Sequence, residues 1–186
     1  KPIFQTENQY SKGSKPFYDF VLLKAVGKYI AACEGDDYWT DPQKLQIQIA
    51  EMRKHPDCDI SFHPAKVKYM DKSRPDTVQG RHRQETCVIP LSEVIRGGGG
   101  FCPTASLIIK KTVLDNMPEW FYKDAIVGDL FIQIYGAKKG GALFINRNMN
   151  FYRVMVPGSW SERYKEITTK ILIDHKKHIM CIELMK

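Results

Sequence analysis

Apolar and polar positions alternate along the chain with two periods, one typical of helices and one typical of strands. Helical spacing predicts helices over 17–26 and 40–56, and the short apolar run 28–33 between them predicts a buried strand. Asp41 is expected to cap the second helix, and Pro42 suits its first turn. The apolar stripe expected to face the core consists of Leu45, Ile49 and Met52.

The second half of the chain continues this alternation. Strands are predicted within 58–70 and 103–114, and a strand pair within 142–154. Helices are predicted over 90–97 and 123–141, and a long amphipathic C-terminal helix is supported by Tyr164, Ile167, Ile171, Ile179 and Ile182. Because helices and strands alternate, we expect an α/β fold. With 186 residues, of which 43% are hydrophobic, the chain fits a single domain, 1–186.

Charge and cysteine usage narrow the classes of function. Lysine and arginine number 28 and the acids 21, and a basic surface of this kind attracts nucleic acid, anionic lipid or a nucleotide diphosphate. The basic residues are spread through the chain, so we expect no nucleic-acid partner. No apolar run reaches the roughly eighteen residues of a membrane span. The five cysteines are odd in number and lack a CxxC, which fits a reducing cytoplasm.

Three carboxylates, those of Glu34, Asp36 and Asp37, follow the first predicted strand within four residues. They repel one another, so a positive group is expected among them. Open α/β sheets bind ligands at the carboxyl ends of their strands, and hard oxygen ligands suit Mg²⁺ or Mn²⁺ together with phosphate oxygens. On these residues alone, a solvated acidic turn that caps the next helix is an equally good interpretation.

Other candidate residues lie near the acids or further along the chain. Tyr38 and Trp39 follow the acids directly and would wall a ligand cleft. Asp129 opens a predicted helix, whose positive end favours an ionised carboxylate, although an ordinary N-terminal helix acid is the simpler interpretation. The four glycines 97–100 lack the Lys-Ser/Thr of a P-loop and predict a loop that flexes over an acceptor cleft.

Two blocks of the chain resemble the family-two glycosyltransferases. They are GKYIAACEGDDYWTDPQKLQIQI at 27–49 and VGDLFIQIYGAKKGGALFINRNMNFYRVMVPGSW at 127–160, and the segment 6–20 resembles the approach to the first block. The resemblance implies an A-type, Rossmann-like mixed sheet with flanking helices. It also implies an inverting, hexosyltransferase-like, metal-dependent transfer of a sugar from a nucleotide sugar, with a UDP-sugar as the first choice. The acceptor would be a hydroxyl of a glycan or lipid-linked molecule in bacterial surface polysaccharide synthesis.

The resemblance also implies roles for individual residues. Asp36, with Glu34 and Asp37, would hold the Mn²⁺ or Mg²⁺ that bridges the diphosphate, and Asp129 would remove the proton of the acceptor hydroxyl. The residues expected to contact the donor are Glu34, Asp36, Asp37, Tyr38, Trp39, Arg153 and Trp160.

The chain departs from the family pattern at three places. Glu34 stands where Asp is commoner, and Met155 stands where His often follows the YRV segment. The first nucleotide-binding strands of the family have no counterpart in these residues, so we expect a partial domain, truncated at its N-terminus. The expected location is the cytoplasm, with peripheral association at the inner face of the membrane.

Two other classes of function would each require a different arrangement of residues. A metal-dependent phosphoryl-transfer or hydrolytic enzyme would need a second acidic cluster, for which Asp41 and Asp57 are the nearest acids in sequence. A non-catalytic basic binding module would need cations and aromatic residues along one face, and binding that weakens steeply with salt.

Overall fold

The computed structural model describes residues 2–7, 9, 12–125, 128–159, 161–162, 180 and 183. The five apolar positions that predict the C-terminal helix all lie outside these described residues.

Nine strands of the described residues form two mixed sheets. The strands are β1 Tyr29–Ala31, β2 Tyr38–Trp39, β3 Ile60–Phe62, β4 Ala65–Tyr69, β5 Thr77–Gln79, β6 Cys87–Ile89, β7 Ile108–Lys110, β8 Ala142–Phe144 and β9 Asn150–Val154. The first sheet has the order β1-β7-β3-β8-β6 and the second the order β2-β9-β4-β5. The pairs β3/β8 and β4/β9 are parallel, and the other neighbours are antiparallel.

Helices flank these sheets and confirm the α/β class predicted from the alternation. The α-helices in the described part of the chain are α1 Lys44–Lys54, α2 Leu91–Gly97, α3 Lys111–Asp115, α4 Glu119–Lys123 and α5 Asp129–Ala137. The predicted helix over 17–26 is present as a π-helical turn, Phe17–Val21, followed by a 3-10 turn, Leu22–Lys24; a further 3-10 turn is Thr104–Ser106. No helix in the described ranges is both long enough and apolar enough to cross a bilayer.

Helix α5 packs closely on the first sheet. A Cβ at Gly136 would lie only 2.7 Å from the Cβ of Ile60 on β3, so the helix can approach the strand this closely only with glycine there. Ile60, Phe62 and Phe144, all fully buried, belong to the core cluster at this place. Close packing of α5 fixes the position of Asp129, which begins the helix.

The predicted core stripe of α1 is confirmed at Met52, which is buried, and at the half-buried Ile49, which packs against the core, but it is wrong at Leu45. The residues that the helix buries are Lys44, Gln48 and Met52, whereas Leu45 keeps 43% of its surface exposed. The predicted cap is corrected: Gln43 occupies the N-cap and no side chain caps the helix, whereas Asp41 Oδ1 accepts the N–H of Gln43 at 2.9 Å in the turn that precedes it. Gln48 can turn inward because Ser61 Oγ and the Ser106 carbonyl of neighbouring elements receive its amide, and Lys44 can do so because Gln48 and the Trp39 ring receive its ammonium.

Two predictions about strands also needed correction. The strand at 28–33 is half-buried rather than buried, because β1 lies at one end of its sheet. The strand pair predicted within 142–154 exists as two strands, but β8 and β9 belong to different sheets. The described cysteines, Cys33, Cys58, Cys87 and Cys102, are free thiols.

Candidate functional site

The acids lie in the turn that crosses from one sheet to the other. The chain leaves the first sheet at the end of β1, turns through Glu34–Asp37 and enters the second sheet at β2. The N–H of Asp37 donates to the Glu34 carbonyl at 3.0 Å and closes this acid turn. Glu34 is exposed, Asp36 is half-buried and Asp37 is 8% exposed. The acids therefore stand at the carboxyl end of β1, as the sequence predicted.

Arg153 is the positive group among these carboxylates. Its backbone N–H donates to Asp37 Oδ1 at 2.9 Å, and its Nε donates to the Asp36 carbonyl. The guanidinium carbon also lies 5.7 Å from the centre of the Tyr38 ring. Arg153 thus holds the acid turn on β9 through both its backbone and its side chain.

The alternation of β9 sends consecutive side chains to opposite faces of the second sheet. Tyr38 is paired with Phe151, and their rings stack at 5.3 Å on the face that Arg153 shares. Trp39 is paired with Asn150, which is fully buried, so Tyr152 points to the same core-facing side as these two residues. The acid turn is therefore approached from one face by Arg153 and from the other by Tyr152.

The environment of the acid turn raises the pKa of two carboxyls. Loss of hydration among surrounding protein atoms, reinforced by the charges of Asp37, Asp36 and Asp129, raises the pKa of Glu34 to about 7. Burial raises the pKa of Asp37 to about 6, against the opposing hydrogen bond from the Arg153 N–H. Glu34 is nevertheless exposed to solvent, with the negative charges of Asp36, Asp37 and Asp129 acting on its carboxyl.

Asp129 lies within electrostatic reach of the acid turn. Its charge contributes to the raised pKa of Glu34. Burial first, and then the charges of Glu34, Asp37, Asp36 and Asp129, raise the pKa of Tyr152 to about 12. The charges of both parts of the candidate site, the acid turn and Asp129, therefore act on Tyr152. Its hydroxyl keeps its proton at neutral pH.

Sequence reasoning missed Tyr152 as a site residue. Side chains along β9 alternate between the two faces of the sheet, so the position of Tyr152 between Phe151 and Arg153 could have indicated its role. That indication requires knowing that β9 pairs with β2.

The glycine loop 97–100 borders Asp129. A Cβ on Gly99 would lie 3.5 Å from both carboxylate oxygens of Asp129. Gln133, one helical turn further on α5 and fully buried, donates to the Gly99 carbonyl at 2.6 Å and accepts the N–H of Cys102 at 3.0 Å. Gln79 donates to the Gly100 carbonyl at 2.8 Å. Two side-chain hydrogen bonds therefore hold the loop that the sequence predicted to flex, and a third holds the backbone just after it at Cys102.

The remaining predicted site residues have diverse environments. Trp39 is half-buried, its Nε1 donates to the Ala105 carbonyl at 2.9 Å, and it lines a hollow of about 370 Å³ with Thr40, Asp41, Pro42, Lys44 and Leu45. Met155, which stands where the family often has His, has a left-handed backbone with φ of 61°. Trp160 lies outside the described residues.

The acid turn offers carboxylates but is not by itself a three-ligand metal site. In the described residues, no group of three or more His, Cys, Asp or Glu side chains is arranged to hold a metal ion. Asp36 makes no side-chain hydrogen bond or ion pair with any other described residue, whereas Asp37 already accepts the Arg153 N–H. The protein can therefore offer one or two carboxylates, a number that suits Mg²⁺ or Mn²⁺ when a phosphate group and water supply the other ligands.

The second acidic cluster that a two-metal enzyme would need is not present around the nearest acids. Asp41 pairs with Arg147 at 2.6 Å, and Asp57 pairs with Lys139 at 3.0 Å. Each of these acids already has a cation, so neither is assembled with the acid turn.

Comparisons with known proteins found relatives of similar sequence. No family model matches the chain. The uncharacterized proteins Rv1520 of Mycobacterium tuberculosis and Mb1547 of Mycobacterium bovis are each 30% identical to it over 148 residues, which is 78% of this chain and 40% of each relative. The chain thus spans about two fifths of the length of the curated relatives it matches. Among solved structures, S. aureus TarS 1-349 is similar over 71% of this chain and 37% of that chain, with a TM-score of 0.49 and 15% identity.

Proposed function

We propose that the protein transfers a sugar from a nucleotide-diphosphate donor, with a UDP-sugar as the first choice, to an acceptor hydroxyl. The observation that carries the proposal is that Arg153 of the second block binds the acid turn of the first, through Asp37 Oδ1 and the Asp36 carbonyl. The charge of Asp129 also contributes to the raised pKa values of Glu34 and Tyr152. The two blocks that resemble family-two glycosyltransferases thus contribute to one region of the molecule. That arrangement suits a reaction in which a diphosphate leaves on one side and a hydroxyl attacks from the other.

The acid turn has a donor set that fits a divalent cation. Asp36 is half-buried and its carboxylate makes no ion pair in the described part of the chain, and its charge contributes to the raised pKa of Glu34. We propose that Asp36, together with either Glu34 or the second oxygen of Asp37, would hold Mn²⁺ or Mg²⁺, with phosphate and water as the remaining ligands. When bound, such an ion supplies Lewis-acid stabilisation of the negative charge that the diphosphate gains.

The chain's own residues supply the other requirements of the reaction. Arg153 places a permanent positive charge beside the acids, where the donor phosphates would approach. The protonated Tyr152 hydroxyl is a hydrogen-bond donor aimed from the opposite face of β9. Asp129, at the first position of α5 and next to Gly99, would accept the proton of the acceptor hydroxyl as its oxygen attacks the anomeric carbon. Attack opposite the leaving diphosphate would invert that carbon.

Binding of a nucleoside diphosphate with metal tests the first half of the proposal. We expect UDP together with Mn²⁺ to raise the melting temperature of the protein by roughly 2–5 °C, because a ligand that binds only the folded state stabilises it. Asp36→Asn should lose this shift. Asp76→Asn, at an exposed loop acid, is the matched control and should keep it. The absence of a shift with every common nucleoside diphosphate, in Mn²⁺ and in Mg²⁺, would refute the proposal.

Turnover tests the second half. We expect Asp129→Asn to bind UDP and Mn²⁺ like the unmodified protein but to release UDP from a UDP-sugar roughly 10²–10⁴ times more slowly, the range typical of a lost general base. Water serves as the acceptor in this measurement, so no acceptor needs to be known. Equal rates for the two proteins would remove Asp129 from the mechanism.

A further inference from the structure

Lys44 is buried without a carboxylate partner in the described part of the chain. Its residue is 1% exposed, and the only hydrogen bond of its ammonium to a described residue is the one donated to Gln48 Oε1 at 2.7 Å. A lysine is almost never fully buried unless it is paired, because removing water from an ammonium is costly. An apolar side chain would fill the same space equally well, so the positive charge of Lys44 needs an explanation.

The ammonium is held between a buried polar network and an aromatic ring. Gln48, which is fully buried, donates to Ser61 Oγ at 3.2 Å and to the Ser106 carbonyl at 2.9 Å, and these bonds fix the oxygen that receives Lys44. On its other side, Lys44 Nζ lies 4.5 Å from the centre of the Trp39 ring. A cation at this distance from an indole face is attracted by the ring, and more strongly where water is excluded.

Trp39 connects this cation with the acid turn. It lies two residues after Asp37, and its Nε1 is fixed on the Ala105 carbonyl at 2.9 Å. The indole is therefore held at its edge by Ala105 and at its face by Lys44. With Trp39 fixed, Asp37 stands where the Arg153 N–H reaches its carboxylate at 2.9 Å.

We propose that Lys44 is a positioning residue: its buried ammonium holds Trp39, and through it the short strand β2 and the acid turn, in place. What the turn does rests on the function proposed above, whereas its placement by Lys44 does not. An apolar residue of similar size would fill the space but would not attract the ring.

Two titratable groups, Cys33 and His63, interact with the charge of Lys44, and neither of them changes charge near pH 8. Burial lowers the pKa of Lys44 to about 8, and Cys33, from the loop after β1, opposes this shift. Burial raises the pKa of the Cys33 thiol, and burial lowers the pKa of His63 to about 3, so that its ring is neutral. Asp41 is paired with Arg147. Lys44 is thus the group in contact with the Trp39 ring that changes charge near pH 8, whereas Glu34, in the acid turn, has a pKa of about 7 and changes charge at lower pH.

Hydrogen exchange of the acid turn tests the proposal. We expect Lys44→Met to accelerate amide exchange of the peptide covering 35–40 by roughly tenfold, with the melting temperature within about 3 °C of the unmodified protein, since local opening is separable from global unfolding. Lys54→Met, on the same helix but with a side chain 66% exposed, is the matched control and should exchange normally. Unchanged exchange in Lys44→Met, or an acceleration spread evenly over the protein, would overturn the proposal.

Fluorescence of Trp39 provides a second measurement, which would not change with pH in this way if Lys44 only filled space. The difference between the unmodified protein and Trp39→Phe should change with a midpoint near pH 8, and this transition should be absent in Lys44→Met. If Lys44→Met does not fold, comparing the fluorescence of the unmodified protein with that of Trp39→Phe is sufficient to test the proposal. A Trp39 signal constant from pH 7 to 9.5 would overturn the proposal. Neither measurement involves donor or turnover, so a failure of the proposed function leaves both results interpretable.

Discussion

The two halves of the candidate site are held in place by different kinds of interaction. Asp129 is held by packing: α5 approaches β3 through Gly136, and the buried Gln133 fixes the glycine loop beside it. The acid turn has polar supports instead, in the hydrogen bonds of Arg153 and in the contact of Lys44 with Trp39. Packing errors should therefore unfold the Asp129 side, whereas changes on the acid side should alter local geometry and charge at a smaller cost in stability.

A side chain at the contact between α5 and β3 should have the largest effect. Gly136→Val places atoms where Ile60 already lies, so we expect a loss of about 3 kcal/mol in the free energy of unfolding, the upper end for overpacking. Urea denaturation measures it. Gly35→Ala is the control in the acid turn, where an added Cβ meets no atom within 4 Å, and it should change stability by less than about 0.5 kcal/mol. Equal losses at the two positions would contradict the comparison.

Removal of the Arg153 side chain should cost less. Arg153→Met abolishes the hydrogen bond to the Asp36 carbonyl but keeps the backbone N–H that binds Asp37, so we expect a loss of about 1 kcal/mol. Arg96→Met, at an exposed position, serves as the control in the same denaturation experiment. A loss as large as that of Gly136→Val would mean that the acid turn is part of the packed core.

Titration of the acid turn should have the smallest effect. The folded-state pKa values of Glu34 and Asp37, about 7 and about 6, lie above the ordinary values of 4.5 and 3.8, so folding favours their protonated forms. The corresponding stability is fully present below about pH 4 and is lost as the pH rises through 6 to 7. We expect the melting temperature of the unmodified protein to fall between pH 5 and pH 8. In Glu34→Gln this fall should be smaller by roughly 2–3 °C.

The control for this titration is Glu85→Gln, at an exposed loop position, which should follow the unmodified protein. Mn²⁺ with UDP should recover part of the lost stability at pH 8 if a cation relieves the repulsion among the acids. A pH dependence that Glu34→Gln leaves unchanged would show that the acids do not interact as the geometry requires.

Features encoded locally were predictable from the sequence. The strand at β1 and the acids at its end each depend on a few neighbouring residues, and the structure has them where predicted. The helix predicted over 123–141 is present as Asp129–Ala137, with Asp129 in its first turn as predicted. The functions of these acids stay predictions.

Features that depend on distant partners were not predictable. Lys44 and Gln48 are buried because Trp39, Ser61 and Ser106 receive them, and apolar periodicity does not register such partners. Tyr152 belongs to the site only because β9 pairs with β2 in one register. The split of β8 and β9 between two sheets likewise depends on their neighbours in space rather than on their own residues.

The register of β9 restricts which lengths of the preceding segment the site tolerates. The N–H of Ile145 donates to the Phe62 carbonyl, and the Met149 carbonyl accepts the N–H of Thr40. The five residues 145–149 therefore span a fixed gap between the two sheets. A slip of β9 by one residue would carry the guanidinium of Arg153 into the core and expose the Tyr152 phenol on the far side. An insertion or deletion in 145–149 that shifts β9 by one residue would thus dismantle the site while leaving every one of its side chains in the sequence.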